Sequence, residues 1–124
     1  MDGHYEIVCK DGYVEVLSDG QKYIDYSRRL FTAIRSACEE HDCFRVLGIG
    51  RSTEPMPISD AYDHADMFND VGIDSRFRIA WVELNPAAKE PIRFIEDVLF
   101  NRSLPGRVFD NVDEALSWLL SDED

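Results

Sequence analysis

The sequence has little of what a disulfide-stapled, exported or membrane-spanning chain requires. Its 124 residues include only three cysteines, which cannot all pair within one chain, and no Cys-x-x-Cys motif. Uninterrupted apolar runs are a few residues long, which excludes a membrane span. The chain starts without the basic and apolar stretches of a signal peptide. We therefore expect a cytoplasmic protein whose cysteines are free thiols acting as small buried hydrophobes, namely Cys9, Cys38 and Cys43.

Basic residues are also scarce, because 13 Lys and Arg face 25 Asp and Glu and give a net charge of −12. Such a field repels phosphate backbones and anionic membranes, and apart from Arg28-Arg29 the basic residues are scattered along the chain. We expect no nucleic-acid partner and no membrane partner. The acidity is interpreted as a source of solubility, with recognition of a basic partner as the alternative.

No linker, repeat or low-complexity segment divides the sequence, and an apolar fraction of 44% is ordinary for a globular protein. We expect one domain over residues 1–124, with a solvated acidic tail at 121–124. Asp11-Gly12 between two β-rich segments predicts an opening hairpin. The predicted strands cover about 4–10, 13–18, 43–49, 77–84 and 107–109, and the predicted helices about 25–41, 60–71, 87–102 and 112–120.

The resulting order is β-β-α-β-α-β-α-β-α, which places the chain in the α/β class. Strands that alternate with helices predict a mostly parallel five-stranded sheet, here with one antiparallel edge strand. Ligands of such sheets favour the loops at the carboxyl ends of the parallel strands. Those loops are predicted at 50–58, 85–90 and 110–111.

The last third of the sequence carries the most specific pattern. Residues 78–82 (Arg-Ile-Ala-Trp-Val) precede a short strand and an amphipathic Ala-Leu-Ser-Trp-Leu helix within residues 107–119. This arrangement resembles the penultimate strand and the ending of the STAS-type domain, the fold of anti-sigma-factor antagonists. The resemblance implies a STAS-like fold and a non-catalytic binding or regulatory module that acts through protein–protein contacts.

Antagonists of that family carry an Asp-Ser-Ser-Gly-like turn after the third strand, where phosphorylation of serine controls partner binding. Here the corresponding residues 50–55 read Gly-Arg-Ser-Thr-Glu-Pro. The resemblance therefore places the chain among single-domain relatives that lack this switch motif.

The loop after the third strand is the predicted binding surface. Met56 and its neighbours offer apolar contact beside charged Arg51. Hydroxyl groups in this stretch could form a phosphorylation switch, although Ser59 is interpreted first as the N-cap of the second helix. The candidate binding residues are Arg51, Ser52, Thr53, Met56 and Ser59. The partner is expected to be a protein, and a homodimer stays open.

No pattern specifies a cofactor, a metal or a catalytic residue. The Gly48-x-Gly50 stretch lacks the lysine and the immediate helix of a phosphate-binding loop. The motif Cys-x2-His-x-Cys at 38–43 could supply three zinc ligands but lacks a fourth. Asp60 and His64 have the spacing of metal ligands on one helix face, but no second histidine-rich segment is present to complete the coordination shell. We expect no cofactor, no metal site and no enzyme activity.

Two other functions remain open from the sequence. A small apolar ligand could be carried between the sheet and its helices, as in related folds. A small acid–base enzyme could use His64 with Asp60 or Asp63, which lie on one turn of a predicted helix.

Overall fold

Strands and helices alternate through the residues that the computed structural model describes, which are 4–20, 24–53, 57 and 60–121. The strands are β1 (His4–Lys10), β2 (Tyr13–Asp19), β3 (Arg45–Arg51), β4 (Arg78–Glu83) and β5 (Arg107–Phe109). The helices are α1 (Ile24–His41), α2 (Asp60–Val71), α3 (Lys89–Asn101) and α4 (Val112–Leu119), and a 3-10 turn covers Pro86–Ala88.

The five strands form one sheet in the order β1-β2-β3-β4-β5. β1 pairs antiparallel with β2 through the Asp11-Gly12 turn, where Gly12 has a φ of 90° that favours glycine. All other neighbours are parallel. The α/β prediction with one antiparallel edge strand is therefore confirmed. Within the described part of the chain, none of the helices has the length and apolar character needed to cross a membrane.

The pleat of the sheet separates two apolar layers. Val16, Val46 and Ile79 point to the face that α1, α2 and α3 cover. Leu47 and Val82 point to the opposite face, where α4 packs. Alternate side chains of a strand point to opposite faces, so β3 and β4 are covered on both sides, as the apolar run at 79–82 predicts.

The centre of the sheet depends on one glycine. Gly48 and Trp81 are register partners on β3 and β4, and a Cβ atom at Gly48 would lie 2.1 Å from Trp81 Cε3. The indole ring therefore lies over the backbone of β3, and any side chain at this position would displace it. Gly48 is required by this close approach, a role that the sequence did not reveal.

β3 lies two residues later than predicted. Asp42 has a φ of 51°, and the Cys43 amide donates to the Cys38 carbonyl at 3.0 Å, so Cys43 closes the end of α1 instead of starting the strand. At its other end β3 continues through Gly50 to Arg51, which is paired with Asp19 of β2.

The three cysteines have different surroundings. Cys38 is fully buried, as predicted, whereas Cys43 is half-buried. The prediction of a buried Cys9 was wrong, because the hairpin end of edge strand β1 is uncovered and its last three residues are all exposed. Burial, with a smaller contribution from the neighbouring thiols, raises the pKa of the Cys38 thiol to about 12.

Thiol labelling should follow this order of exposure. The thiolate is the reactive form, so at pH 8 we expect Ellman's reagent to modify Cys9 first and to modify Cys38 only after denaturation. A Cys9→Ser variant should lose the fast phase of labelling and keep a slower phase, which we assign to the half-buried Cys43. Rapid labelling of Cys38 in the folded protein, identified by peptide mapping, would contradict the packing of α1 against the sheet.

Candidate functional site

The carboxyl ends of β2, β3 and β4 meet at one edge of the sheet, where the sequence predicted the binding loop. Asp19 and Arg51 are register partners at the ends of β2 and β3, and Glu83 ends β4 next to them. The Leu84 amide extends the ladder by donating to the Gly50 carbonyl at 2.8 Å. We call this region the carboxyl edge.

A buried carboxylate organises the carboxyl edge. Glu83 is only 1% exposed, and its Oε2 accepts from the amide of Ser52 at 3.0 Å and from that of Asn85 at 3.2 Å. Its Oε1 accepts from the Ser52 hydroxyl at 2.9 Å. A buried carboxylate needs such donors, since burial without them costs several kcal/mol, on the order of a lost charge-assisted hydrogen bond or more.

Asn85 fixes the same loop from the other side. Its Nδ2 donates to the Ser52 carbonyl at 2.6 Å, while its Oδ1 accepts from the Ala87 amide and caps the 3-10 turn. Asparagine followed by Pro86 is a favourable start for a helical turn, because proline lacks an amide that would need a partner. Ser52 is consequently held through its amide, its hydroxyl and its carbonyl.

The residues on either side of Ser52 are displayed to solvent. Thr53 is exposed, and the Arg51 side chain is 65% exposed. Arg51 Nε and Nη2 donate to the two carboxylate oxygens of Asp19 at 2.6 and 3.0 Å. These hydrogen bonds and the charge of Asp19 raise the pKa of the Arg51 guanidinium above its ordinary value.

Apolar surface accompanies this charged pair. Leu84 is 50% exposed, which makes it one of the few large apolar side chains that the described residues present to solvent. Pro57, in the loop before α2, is exposed as well. The carboxyl edge thus offers an oriented cation and anion beside apolar contacts, an arrangement typical of protein-binding surfaces.

The structure places the sequence-predicted site residues in different surroundings. Arg51 and Thr53 lie exposed on the carboxyl edge, Ser52 is buried beneath it, and Met56 and Ser59 lie outside the described residues. Sequence reasoning missed the partners that hold the loop, which are Asp19, Glu83 and Asn85. Two of these partners could have been found from the sequence, because Glu83 ends an apolar central strand and Asn85-Pro86 follows soon after it.

His64, the residue of the acid–base alternative, is also buried. Its Nδ1 lies 2.9 Å from the backbone carbonyl of Asp60, and its Nε2 lies 2.9 Å from the Ser27 hydroxyl. Because a carbonyl can only accept, Nδ1 carries a proton, and in the neutral ring Nε2 accepts from Ser27. This hydrogen bond to Asp60 is therefore made by its main-chain carbonyl, whereas the acid–base alternative uses the carboxylate of Asp60 or Asp63.

A small apolar cavity adjoins this pair. It lies between the sheet and α1–α3, measures about 70 Å³, and is lined by apolar side chains such as Phe31, Phe68 and Ile92. Sites for drug-sized ligands usually measure about 300–1,000 Å³. Among residues 4–20, 24–53, 57 and 60–121, no three His, Cys, Asp or Glu side chains converge as metal ligands.

The fold has a counterpart among solved structures. The crystal structure of an anti-sigma factor antagonist from Mycobacterium paratuberculosis superposes with a TM-score of 0.59, covering 97% of this chain and 96% of that chain at 11% identity. This chain has a STAS-like fold. A scan of family models found no match, and neither did a search of curated proteins.

In this STAS-like fold, Ser52 is poorly suited to carry a phosphate. It is 7% exposed, and its hydroxyl already donates to Glu83. A phosphate on that oxygen would remove the donated proton and place a second anion against a buried carboxylate. Of the hydroxyls in the described part of this loop, only that of Thr53 is exposed.

The role of Glu83 can be tested through stability. Glu83→Gln replaces one carboxylate oxygen, which accepts hydrogen bonds, with an NH2 group, which can only donate. That group would face the donors of Ser52 or Asn85 without an acceptor, so the free energy of unfolding should fall by about 1–3 kcal/mol. Urea denaturation followed by circular dichroism measures the change. Glu40→Gln, the same substitution at an exposed position of α1, should stay within about 0.5 kcal/mol of the unmodified protein. Equal stabilities of the two variants would show that the Glu83 hydrogen bonds do not hold the carboxyl edge.

Proposed function

We propose that this protein is a non-catalytic regulatory module of the cytoplasm that binds a protein partner through its carboxyl edge. The observation that carries the proposal is the fixation of Ser52 by Glu83 and Asn85, which displays Arg51 and Thr53 in one orientation. Side chains that are already held in one orientation lose little conformational entropy on binding, and this preorganisation favours affinity and specificity.

The chemistry of the carboxyl edge supports a protein as the ligand. Arg51 and Asp19 offer both charges within one bidentate pair, and Leu84 lies exposed beside it. A partner that presents a carboxylate to Arg51 and an apolar side chain to Leu84 would satisfy both. The likeness in fold to an anti-sigma factor antagonist adds support, since the name of that protein describes action on another protein.

The surroundings of His64 support the non-catalytic part of the proposal. The imidazole is 4% exposed and is bonded to Ser27 and to the main chain of Asp60. A general acid or base must reach the proton that it transfers, either directly or through one water. The geometry of His64 is that of a side chain that joins α1 to α2.

Loss of the Arg51 charge should weaken partner binding. With the purified protein as bait in an extract of its native host, we expect Arg51→Ala to recover about tenfold less of the specific partner, the loss of one charge-assisted contact. Recovery is measured by quantitative mass spectrometry. The matched control is Arg93→Ala, which breaks another exposed arginine–aspartate pair, that with Asp110. Both variants should remain folded, because exposed ion pairs contribute about 0–1 kcal/mol.

A charge-swapped variant separates partner contact from loop geometry. Asp19→Arg combined with Arg51→Asp keeps an ion pair at this position but exchanges its charges. We expect the swapped protein to bind as poorly as Arg51→Ala. Full binding by the swapped protein, or by Arg51→Ala combined with Met56→Ala, would overturn the placement of the partner on the carboxyl edge.

The cavity beside His64 is the place where the second candidate function, the carriage of a small apolar compound, would reside. Its walls are apolar and it lies between sheet and helices, but its volume of about 70 Å³ is small for such a role. We therefore expect the native mass spectrum of freshly purified protein to match its denatured mass. An additional mass that is present only in the native spectrum would favour a carrier over a partner-binding module.

A further inference from the structure

The two edges of the sheet differ in how open they are to another strand. β5 has three residues, and its Val108 amide already donates to the Glu96 carboxylate. β1 has seven residues, and in the described part of the chain it pairs only with β2. Its last three residues are exposed, and the first of them, Val8, is 45% exposed. A long edge strand presents free amides and carbonyls with which another strand can pair.

The opening hairpin determines which main-chain groups of β1 point outward. Lys10 and Tyr13 are register partners that flank a two-residue turn, and a pair in this position is hydrogen-bonded within the hairpin. Hydrogen-bonded and non-bonded pairs alternate along an antiparallel ladder, so the amide and carbonyl of Val8 also point at β2. The main-chain groups of Ile7 and Cys9 point away from the sheet, and they are the groups that a further strand would bind.

A second copy of β1 has a charge pattern that matches this edge in one register. Two copies can pair antiparallel about a two-fold axis, the commonest symmetry of soluble oligomers. With Val8 on the axis, Glu6 of each copy lies opposite Lys10 of the other, and opposite charges at paired positions are stabilising. With Glu6 on the axis two carboxylates oppose each other, and with Ile7 or Cys9 on the axis neither charge meets an opposite one. The charges therefore select the register centred on Val8.

The same register covers the exposed apolar side chains of β1. Val8 lies opposite Val8 of the second copy in a non-hydrogen-bonded pair, where Cα atoms are about 4.5 Å apart and the side chains are closest. Ile7 and Cys9 exchange main-chain hydrogen bonds with Cys9 and Ile7 of the second copy. The exposed Cys9 thiol thereby lies beside Ile7, which already packs against the core on the face of α1. One contact covers both exposed apolar side chains at this end of β1.

We infer that β1 binds β1 of a second copy of this chain, antiparallel and centred on Val8, so that the two sheets join into one. The outer edges of the joined sheet are the short β5 strands, so the assembly closes as a dimer. Charged side chains on an edge strand usually discourage pairing. On β1 they discourage the other registers and complement each other in this one, so they specify the partner.

Two features of the chain oppose this association and set the conditions of its test. The net charge of −12 makes the copies repel each other, but physiological salt screens charges more than about 8 Å apart. On β1 itself, Glu6 lies 3.7 Å from Nε2 of His4, and both side chains are largely exposed, so the carboxylate stays accessible to Lys10 of the second copy. None of the residues that pair in this register belongs to the carboxyl edge, so failure of either proposal leaves the other intact.

Exchange of the two charges tests the register, with the dimer dissociation constant measured by sedimentation at physiological salt. Glu6→Lys opposes two lysines in both pairs and should weaken the dimer about tenfold, although it makes each copy less negative. Lys10→Glu should weaken it at least as much. The double variant restores both opposite-charge pairs at the original net charge, so it should dimerise within about threefold of the unmodified protein. Both side chains are exposed, so the variants should keep the circular dichroism of the folded protein.

Disulfide trapping tests the position of the axis. In a Cys9→Ser background, Val8→Cys places two thiols opposite each other at a Cα separation that a disulfide can span. Mild oxidation should convert most of this variant to a covalent dimer on a non-reducing gel. The matched control is His4→Cys in the same background, an exposed position of the same strand whose two copies lie about 27 Å apart along the paired strands in this register. It should stay monomeric on the gel.

Three results would overturn the inference: a protein that is monomeric at millimolar concentration, a double variant that dimerises as weakly as Glu6→Lys, or cross-linking of His4→Cys as efficient as that of Val8→Cys. A dimer that neither charge variant weakens would assign self-association to another surface. A monomer whose Ile7 and Cys9 amides become protected from hydrogen exchange only when a purified partner is added would assign the edge to a strand of that partner.

Discussion

The Glu83 carboxylate is the group on which the carboxyl edge depends. Glu83 ends the most buried strand of the sheet. Its carboxylate joins the main chains of two loops, because the amides of Ser52 and Asn85 both donate hydrogen bonds to it. Removing one partner of a buried charge costs more than the pair contributes, because the remaining groups stay desolvated. The display of Arg51 beside Asp19 is therefore a consequence of a core interaction, although both side chains are at the surface.

Most of the fold could be predicted because the patterns that define it are local. Asp11-Gly12 and the apolar run at 79–82 each act within a few residues, and the structure confirms the hairpin and the central strand that they predict. The start of β3 could not be predicted, because Cys43 is recruited into the end of α1 by a main-chain hydrogen bond. The need for glycine at position 48 arises from Trp81, which lies 33 positions later in the chain and is its neighbour only in the folded sheet.

The candidate site was harder to predict for the same reason. Arg51 and Thr53 could be named from their loop, but the exposure of one hydroxyl and the burial of its neighbour follow from Glu83, which belongs to another strand. Ser52 looks like a surface residue in sequence, since serine is usually exposed. Only the register of β3 and β4 makes it a buried partner of a carboxylate. Residues that act through contacts between distant segments leave no local pattern.

The two ends of the parallel strands use charge in different ways. At the carboxyl edge Arg51 is neutralised by Asp19, so that surface offers shape and orientation more than net charge. At the amino ends Arg45 and Arg78 are register partners, and Arg78 is held by stacking on the Trp118 ring and by hydrogen bonds to the Trp118 carbonyl and the Ser121 hydroxyl. Screening by salt weakens contacts that depend on net charge more than contacts within a neutral pair. Contacts of the Arg51–Asp19 pair should therefore depend on orientation more than on net charge, and ionic strength should affect them little.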